Sequence, residues 1–197
     1  SKIKRIKYLI IKFFGCKMVK NKCVFLDRDG VLNQAIIKNK KPYSPRDLNS
    51  FKLLPNSVQS IKRLTDMGFL TIVITNQPDI ATGHLSLDLL NKFNNILYSK
   101  MKLTDILYCP HIETDNCFCR KPNTGMIDHA KIKYNIDLKK SFVIGDRWRD
   151  VDCGIKSGCK TIFIDYDYHE NLNNTPHAIV SNLSSGVNLI EEWSLND

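Results

Sequence analysis

An α/β fold, a parallel sheet covered by helices on both faces, is predicted by two features of this chain. Short runs rich in Val, Ile and Phe alternate with segments of helical periodicity, the pattern of repeated strand–helix–strand units. Each early run is followed at once by polar residues able to do chemistry, and in such sheets those residues gather just beyond the carboxyl ends of the strands. At 197 residues, 43% hydrophobic and 25% charged, the chain suffices for one well-buried domain and would be cramped as two.

The elements follow in order. Val24–Leu26, Leu70–Thr75, Asp105–Cys109, Ser141–Ile144 and Thr161–Ile164 read as strands because β-branched and aromatic side chains fit a pleated, buried surface. Between them, Pro55–Met67 reads as a helix stopped by Gly68. Leu85–Lys100 and Gly125–Tyr134 are further helices, and Val151–Lys156 is one stopped by Gly158. The expected architecture is a doubly wound parallel sheet in three αβα layers. Short segments separate Asp29 from Pro55 and Cys109 from Arg120, so neither place has room for a large cap domain and the cleft should be open.

Ahead of this body, residues 1–21 read as a separate basic segment. Residues 1–22 hold eight Lys/Arg and no Asp/Glu, which accounts for most of the net charge of +9 and leaves 23–197 close to neutral. Ile3, Ile6, Ile10 and Phe13 or Phe14 recur at helical spacing among lysines, which suits a short amphipathic helix. Packing on its own domain and contact of residues 1–20 with a membrane surface are both open to it. The apolar run Tyr8 to Ile11 is too short for a signal-peptide core or a membrane span. Seven cysteines, an odd number, with no secretory signal point to a reducing cytoplasm, and the body is expected to be a monomer.

The stretch KCVFLDRDGVL poses the chemical question. An apolar strand there ends in two aspartates one residue apart, and like charges at the edge of a core need a cation between them. The residues after the later strands complete a set: Thr75-Asn76, Arg120-Lys121 and Gly145-Asp146. Taken singly, each has an ordinary reading as a cap, a turn or a solvated charge. Their joint placement at successive strand ends fits phosphoryl transfer through a carboxylate nucleophile.

In that scheme Asp27 attacks phosphorus, and Asp29 protonates the leaving alkoxide and then activates water. Mg²⁺ is held by Asp27, Asp146 and the Asp29 main-chain carbonyl, while Thr75 and Lys121 bind the equatorial phosphoryl oxygens. Asp150 either supports a metal-bound water, orients Lys121, or favours the start of the following helix. The substrate is expected to meet Gly30, Asn33, Asn76, Gln77, Arg120 and Arg147.

A second metal set lies in CPHIETDNCFC. Cys109, His111, Cys117 and Cys119 supply three thiolates and one imidazole within eleven residues, a closed tetrahedral set for structural Zn²⁺. Such a loop would bring Arg120 and Lys121 to the site in fixed positions. Cys16, Cys23, Cys153 and Cys159 lack comparable spacing and read as core or surface residues.

DRDGVL, TNQ, RKP and GDRWRD, in this order, resemble the four motifs of the haloacid dehalogenase-like (HAD) hydrolases, over Lys22 to about Asp165. CPHIETDNCFCRKP resembles more narrowly the histidinol-phosphatase and heptose-bisphosphate phosphatase branch. The resemblance implies a Mg²⁺-dependent phosphatase domain over 22–197. Asp27 is then its nucleophile, Asp29 its acid/base, and Thr75 and Lys121 its phosphoryl contacts. Two departures stand out: Thr82 where the heptose-bisphosphate branch usually has Arg, and only five residues between His111 and Cys117.

The expected substrate is a small phosphorylated sugar, a heptose bisphosphate or a relative used in surface-polysaccharide (lipopolysaccharide) assembly. Histidinol phosphate and a nucleic-acid 3′ end are the alternatives; the near-neutral body counts against nucleic acid. A non-enzymatic binding module would have no use for the acid/base carboxylate.

Overall fold

A computed structural model describes residues 19–195. The expected amphipathic helix falls on residues outside that range, and only residues 19–21 of the basic segment lie within it. At Asn21 the chain is already tied to the domain, its amide donating to the Asn135 carbonyl at 2.9 Å and its carbonyl accepting from the Asp137 amide at 2.8 Å. Among the described residues no helix is long and apolar enough to cross a membrane.

Six parallel strands form the main sheet: β1 (Cys23–Leu26), β4 (Leu70–Asn76), β5 (Asp105–Cys109), β6 (Phe142–Gly145), β7 (Lys160–Ile164) and β8 (Ala178–Val180), in the spatial order β5-β4-β1-β6-β7-β8. The chain first builds outward from β1 to β5, then returns to lay β6 on the other side of β1. Right-handed crossovers that change direction in this way put their helices on opposite faces.

The core bears this out. Side chains of α1 (Ser57–Asp66), α2 (Leu87–Lys100) and α5 (Leu183–Leu195) pack with Val24, Leu26, Val73, Phe142 and Ile144. Those of α3 (Gly125–Tyr134) and α4 (Trp148–Ser157) pack with Cys23, Phe25, Ile72, Ile74 and Val143. Alternate residues of one strand thus serve two cores, which is why the strands are apolar throughout instead of alternating with polar residues.

The predicted strands and helices are present with boundaries shifted by three residues at most. The structure adds β8 and α5, and it adds a hairpin, β2 (Ile36–Lys38) and β3 (Lys41–Tyr43). Asn39 and Lys40 at its turn have φ of 50° and 56°, as a two-residue turn matched to strand twist requires. This hairpin and the Cys/His loop take the places where a cap domain would be inserted, so the mouth of the site stays open, as expected.

Candidate active site

The reversal in strand order puts the ends of β1 and β6 side by side, and there the sequence supplies Asp27 and Asp146. Asp27, Asp146 and Asp150 each offer an oxygen within 4.8 Å of the others, and all three residues are buried. The approach depends on glycine. Gly30 has φ +92°, and a Cβ there would lie 2.0 Å from Asp146 Oδ2. Gly145 gives way in the same manner to Asp150, whose Cβ would stand 2.2 Å from any side chain added.

Among the described residues, Lys121 is the basic side chain hydrogen-bonded to these acids. Its buried Nζ donates to Asp27 Oδ1 at 2.9 Å, Asp150 Oδ1 at 2.6 Å and the Ile74 carbonyl at 2.7 Å. Burial works against its charge, but the carboxylates of Asp150 and Asp27 outweigh that and hold it protonated. The loop carrying it is pinned by Asn76, whose side chain donates to the Lys121 carbonyl and accepts from the Lys121 amide, both at 3.0 Å.

One ammonium does not balance three buried carboxylates. Burial, followed by repulsion from Asp27 and Asp150, pushes the Asp146 carboxyl well above its ordinary range. Asp150 is pushed up to about 6, again first by burial, with Lys121 pulling the other way. Both Asp146 carboxylate oxygens are buried without a hydrogen-bond partner, and unpaired buried oxygens beside two further acids are a fitting donor set for a hard divalent cation.

Asp29 is treated differently. Its carboxylate accepts from Arg28 Nε at 3.1 Å and Nη2 at 3.0 Å, Asn33 Nδ2 at 2.8 Å, Ser44 Oγ at 2.7 Å and Gln77 Nε2 at 2.8 Å. Burial works upward on this carboxyl, but the Arg28 charge and these donors prevail and lower it. Gln77 Nε2 also reaches Thr75 Oγ1 at 2.9 Å, linking the acid to the threonine at the end of β4.

The cleft above this floor is lined in part by Asp27, Asp29, Thr75, Asn76, Lys121 and Asp146, with Arg120, Arg147 and Arg149 on its walls. The residues expected at the substrate do not all face it. Asn33 and Gln77 are fully buried under Asp29, and Gly30 serves the approach of Asp146. They support the site from beneath.

Arg147 is clasped by Glu170, with Nε 2.6 Å from Oε2. Arg149 pairs with Glu113. Arg120 donates Nη1 to the His111 carbonyl at 3.0 Å and leaves Nε without a partner. Arg28 and Ser44 were absent from the expected set. Arg28 gives no sequence signal beyond standing between the two aspartates, and Ser44 reaches the site through the unpredicted hairpin.

The Cys/His loop closes as a cluster. Cys109 Sγ lies 3.5 Å from His111 Nδ1 and from Cys117 Sγ, His111 Nδ1 lies 3.3 Å from Cys119 Sγ, and Cys117 and Cys119 sulfurs are 3.6 Å apart. A tetrahedral ion with bonds of about 2.0–2.3 Å has edges of roughly 3.5–3.8 Å; four of the six edges match to within a few tenths. Burial raises the thiols of Cys109 and Cys119, while Cys117 is held down to about 7: burial works upward there, but the Arg120 amide and the neighbouring thiols outweigh it. The group could hold a metal ion, with its own strand end, Cys109 on β5, as anchor.

A family model described as HAD-hydrolase-like matches residues 118–185. The D-glycero-alpha-D-manno-heptose-1,7-bisphosphate 7-phosphatase of Photorhabdus laumondii is 34% identical over 175 residues, covering 83% of this chain and 92% of its own length. The bifunctional histidine-biosynthesis protein HisB of Buchnera aphidicola is 34% identical over 158 residues, which is 75% of this chain and 41% of that protein. Among solved structures, the D,D-heptose 1,7-bisphosphate phosphatase from B. bronchiseptica, complexed with magnesium and phosphate, superposes with a TM-score of 0.74 at 26% identity, covering 87% of this chain and 99% of that one. The strand order, the rim of acids around one lysine and these relatives agree: this chain belongs to the HAD-like phosphatases, in the branch that contains the heptose-1,7-bisphosphate 7-phosphatases.

Proposed function

We propose that the chain hydrolyses a phosphomonoester of a small phosphorylated sugar, a heptose bisphosphate or a close relative, through an aspartyl phosphate on Asp27. The observation that carries this reading is the floor of the cleft, where Asp27, Asp146 and Asp150 converge on Lys121 and both Asp146 oxygens lack a partner. Asp27, Asp146 and the Asp29 carbonyl would hold Mg²⁺, which supplies positive charge that lets a carboxylate approach a phosphate.

Asp29, lowered against burial by Arg28 and its other donors and so a carboxylate in the free chain, takes up a proton as the phosphomonoester binds. Asp27 then attacks phosphorus as the bond to the leaving oxygen breaks, and that oxygen takes the Asp29 proton. Asp29, now a carboxylate, removes a proton from water, which attacks the same phosphorus. The bond to Asp27 breaks, and inorganic phosphate and the free Asp27 carboxylate result. Thr75 and Lys121 bind the equatorial oxygens throughout. The Cys109, His111, Cys117, Cys119 cluster is read as a structural Zn²⁺ site that fixes Arg120 and Lys121. Asp150 holds Lys121 in line through its 2.6 Å contact.

A second phosphate on the sugar would fall to Arg120, because Thr82 stands in the place of the branch's usual arginine, exposed and with its hydroxyl 2.8 Å from His84 Nδ1. Arg120 is the wall arginine with a free buried donor, whereas Arg147 and Arg149 are already paired. The resemblance of CPHIETDNCFCRKP to the histidinol-phosphatase branch makes histidinol phosphate the comparison substrate. The near balance of 21 Lys/Arg against 20 Asp/Glu over residues 23–197 favours a small substrate over nucleic acid.

The test is phosphate release from both anomers of heptose 1,7-bisphosphate, histidinol phosphate and a 3′-phosphorylated oligonucleotide, with and without Mg²⁺, by this chain and by Asp27→Asn. Mg²⁺-dependent release that is highest on a heptose bisphosphate and lost by at least about 10³-fold in the variant is expected. Release undiminished by Asp27→Asn would refute the nucleophile, and a preference for histidinol phosphate would refute the sugar.

A further inference from the structure

Arg28 is the largest fully buried side chain of the described residues, and nothing in the phosphoryl-transfer scheme uses it. It lies between the nucleophile and the acid/base residue in sequence, yet it turns into the core. Its guanidinium carbon is 5.8 Å from the Phe51 ring centroid and 5.6 Å from that of Phe93, and those two rings stack on each other at 4.4 Å and 5°. Nε and Nη2 form a two-point contact with Asp29, one to each carboxylate oxygen, while Nη1 is buried with no partner.

A guanidinium without solvent is expensive to keep unless its site rewards the planar fork. Among the described residues Asp29 is its one ion-pair partner. The loop reinforces the arrangement, since the Arg28 carbonyl accepts the amides of Leu32 at 2.9 Å and Asn33 at 3.1 Å. Cation–π contact with Phe51 and Phe93 ties the fork to the core that α2 builds through Phe93.

We infer that Arg28 is a positioning residue for the reaction: anchored against Phe51 and Phe93, its fork fixes the plane and position of the Asp29 carboxyl so that the acid reaches the leaving oxygen. Asn33 reaches Oδ1 while Ser44 and Gln77 reach Oδ2, each from a separate side chain that can follow a turning carboxyl, whereas the fork meets both oxygens from one rigid plane. With that plane held against the two rings, the fork sets the angle that the other donors then follow. The inference rests on the proposed acid/base role of Asp29 and adds the device that aims it.

Leaving-group dependence separates aim from mere stability. A misaimed acid slows departure of a poor leaving group, such as a sugar alkoxide, and hardly affects an activated phenolate that needs no proton. The experiment measures kcat/KM, which reports the steps up to leaving-group departure, for Arg28→Lys, Asp29→Asn and the unsubstituted chain. The two substrates are dinitrophenyl phosphate and the sugar phosphate turned over fastest.

Asp29→Asn should lose about 10²-fold or more on the sugar phosphate and much less on the aryl ester. Arg28→Lys, which keeps the charge and loses the fork, should show the same selectivity at about tenfold or more. Equal losses on both substrates for Arg28→Lys, beside a selective Asp29→Asn, would overturn the inference and leave the acid/base reading standing. A non-selective Asp29→Asn would overturn both. If Arg28→Lys does not fold, Phe51→Leu, which removes one ring and neither charge, is read on the same scale: selective loss supports the anchor and uniform loss refutes it.

Discussion

Gly30 shows how narrowly single residues constrain the site. Its φ of +92° lies in the region that L side chains rarely adopt, and the space a Cβ would need is taken by the Asp146 carboxylate. In Gly30→Ala the strand-end loop must shift or Asp146 must leave the other two acids. Strain of about 1–3 kcal/mol is expected, so Tm should fall by roughly 2–10 °C. The Mg²⁺ needed for half-maximal activity should rise at least tenfold, on the order of the loss of one charged ligand. A variant that keeps its Mg²⁺ requirement would show that Asp146 does not share the ion. Asp27 and Asp146 were legible in the sequence because each follows an apolar run, and Lys121 because it stands just after the Cys/His cluster. Arg28, Asn33 and Gln77 were not legible as supports of Asp29. Whether a polar residue faces a cleft or lies beneath it depends on packing from distant segments, such as Phe51 and Phe93 around Arg28.

At the scale of elements, the strands that carry the site could be read directly, since Val24–Leu26, Leu70–Thr75 and Ser141–Ile144 are apolar runs that serve two cores. The hairpin was not legible. Ile36–Lys38 and Lys41–Tyr43 lack an alternating pattern, and the turn Asn39-Lys40 carries no glycine. β8 is three residues long, and in α5 the helical spacing of Leu183, Val187 and Ile190 is interrupted by Ser184-Ser185-Gly186. The Cys/His loop is the opposite case, because four ligands within eleven residues announce it without any packing. Its contribution can be tested by Cys117→Ser. The unsubstituted chain should retain about one zinc through mild chelation, and the variant should lose it. The substituted loop should also cost at least about tenfold in kcat/KM through the placement of Lys121. Undiminished activity with zinc gone would separate the loop from the catalytic rim.

The whole molecule joins these parts by topology. One reversal of strand order places Asp27 and Asp146, 119 positions apart in the numbering, beside each other at the switch point where ligands of open α/β sheets bind. The raised carboxyls there set the pH behaviour. Without metal the folded chain holds more protons than the unfolded one between the ordinary Asp range and about 6 at Asp150, so these groups lower stability as pH rises through that window. Asp29, lowered by Arg28 and its other donors, acts in the opposite sense and loses its contribution only as pH falls below the ordinary Asp range. A cation held by Asp27 and Asp146 competes with the proton on Asp146 and favours the charged form of Asp150 beside it, and therefore binds more tightly above that window than within it. Calorimetric titration of Mg²⁺ into the chain and into Asp146→Asn, at pH about 7.5 and about 5, tests the shared ion most directly. The account predicts one ion per chain at the higher pH, with affinity at least about tenfold weaker at the lower pH and in the variant. Equal affinity for Mg²⁺ in the chain and in Asp146→Asn at the higher pH would contradict it.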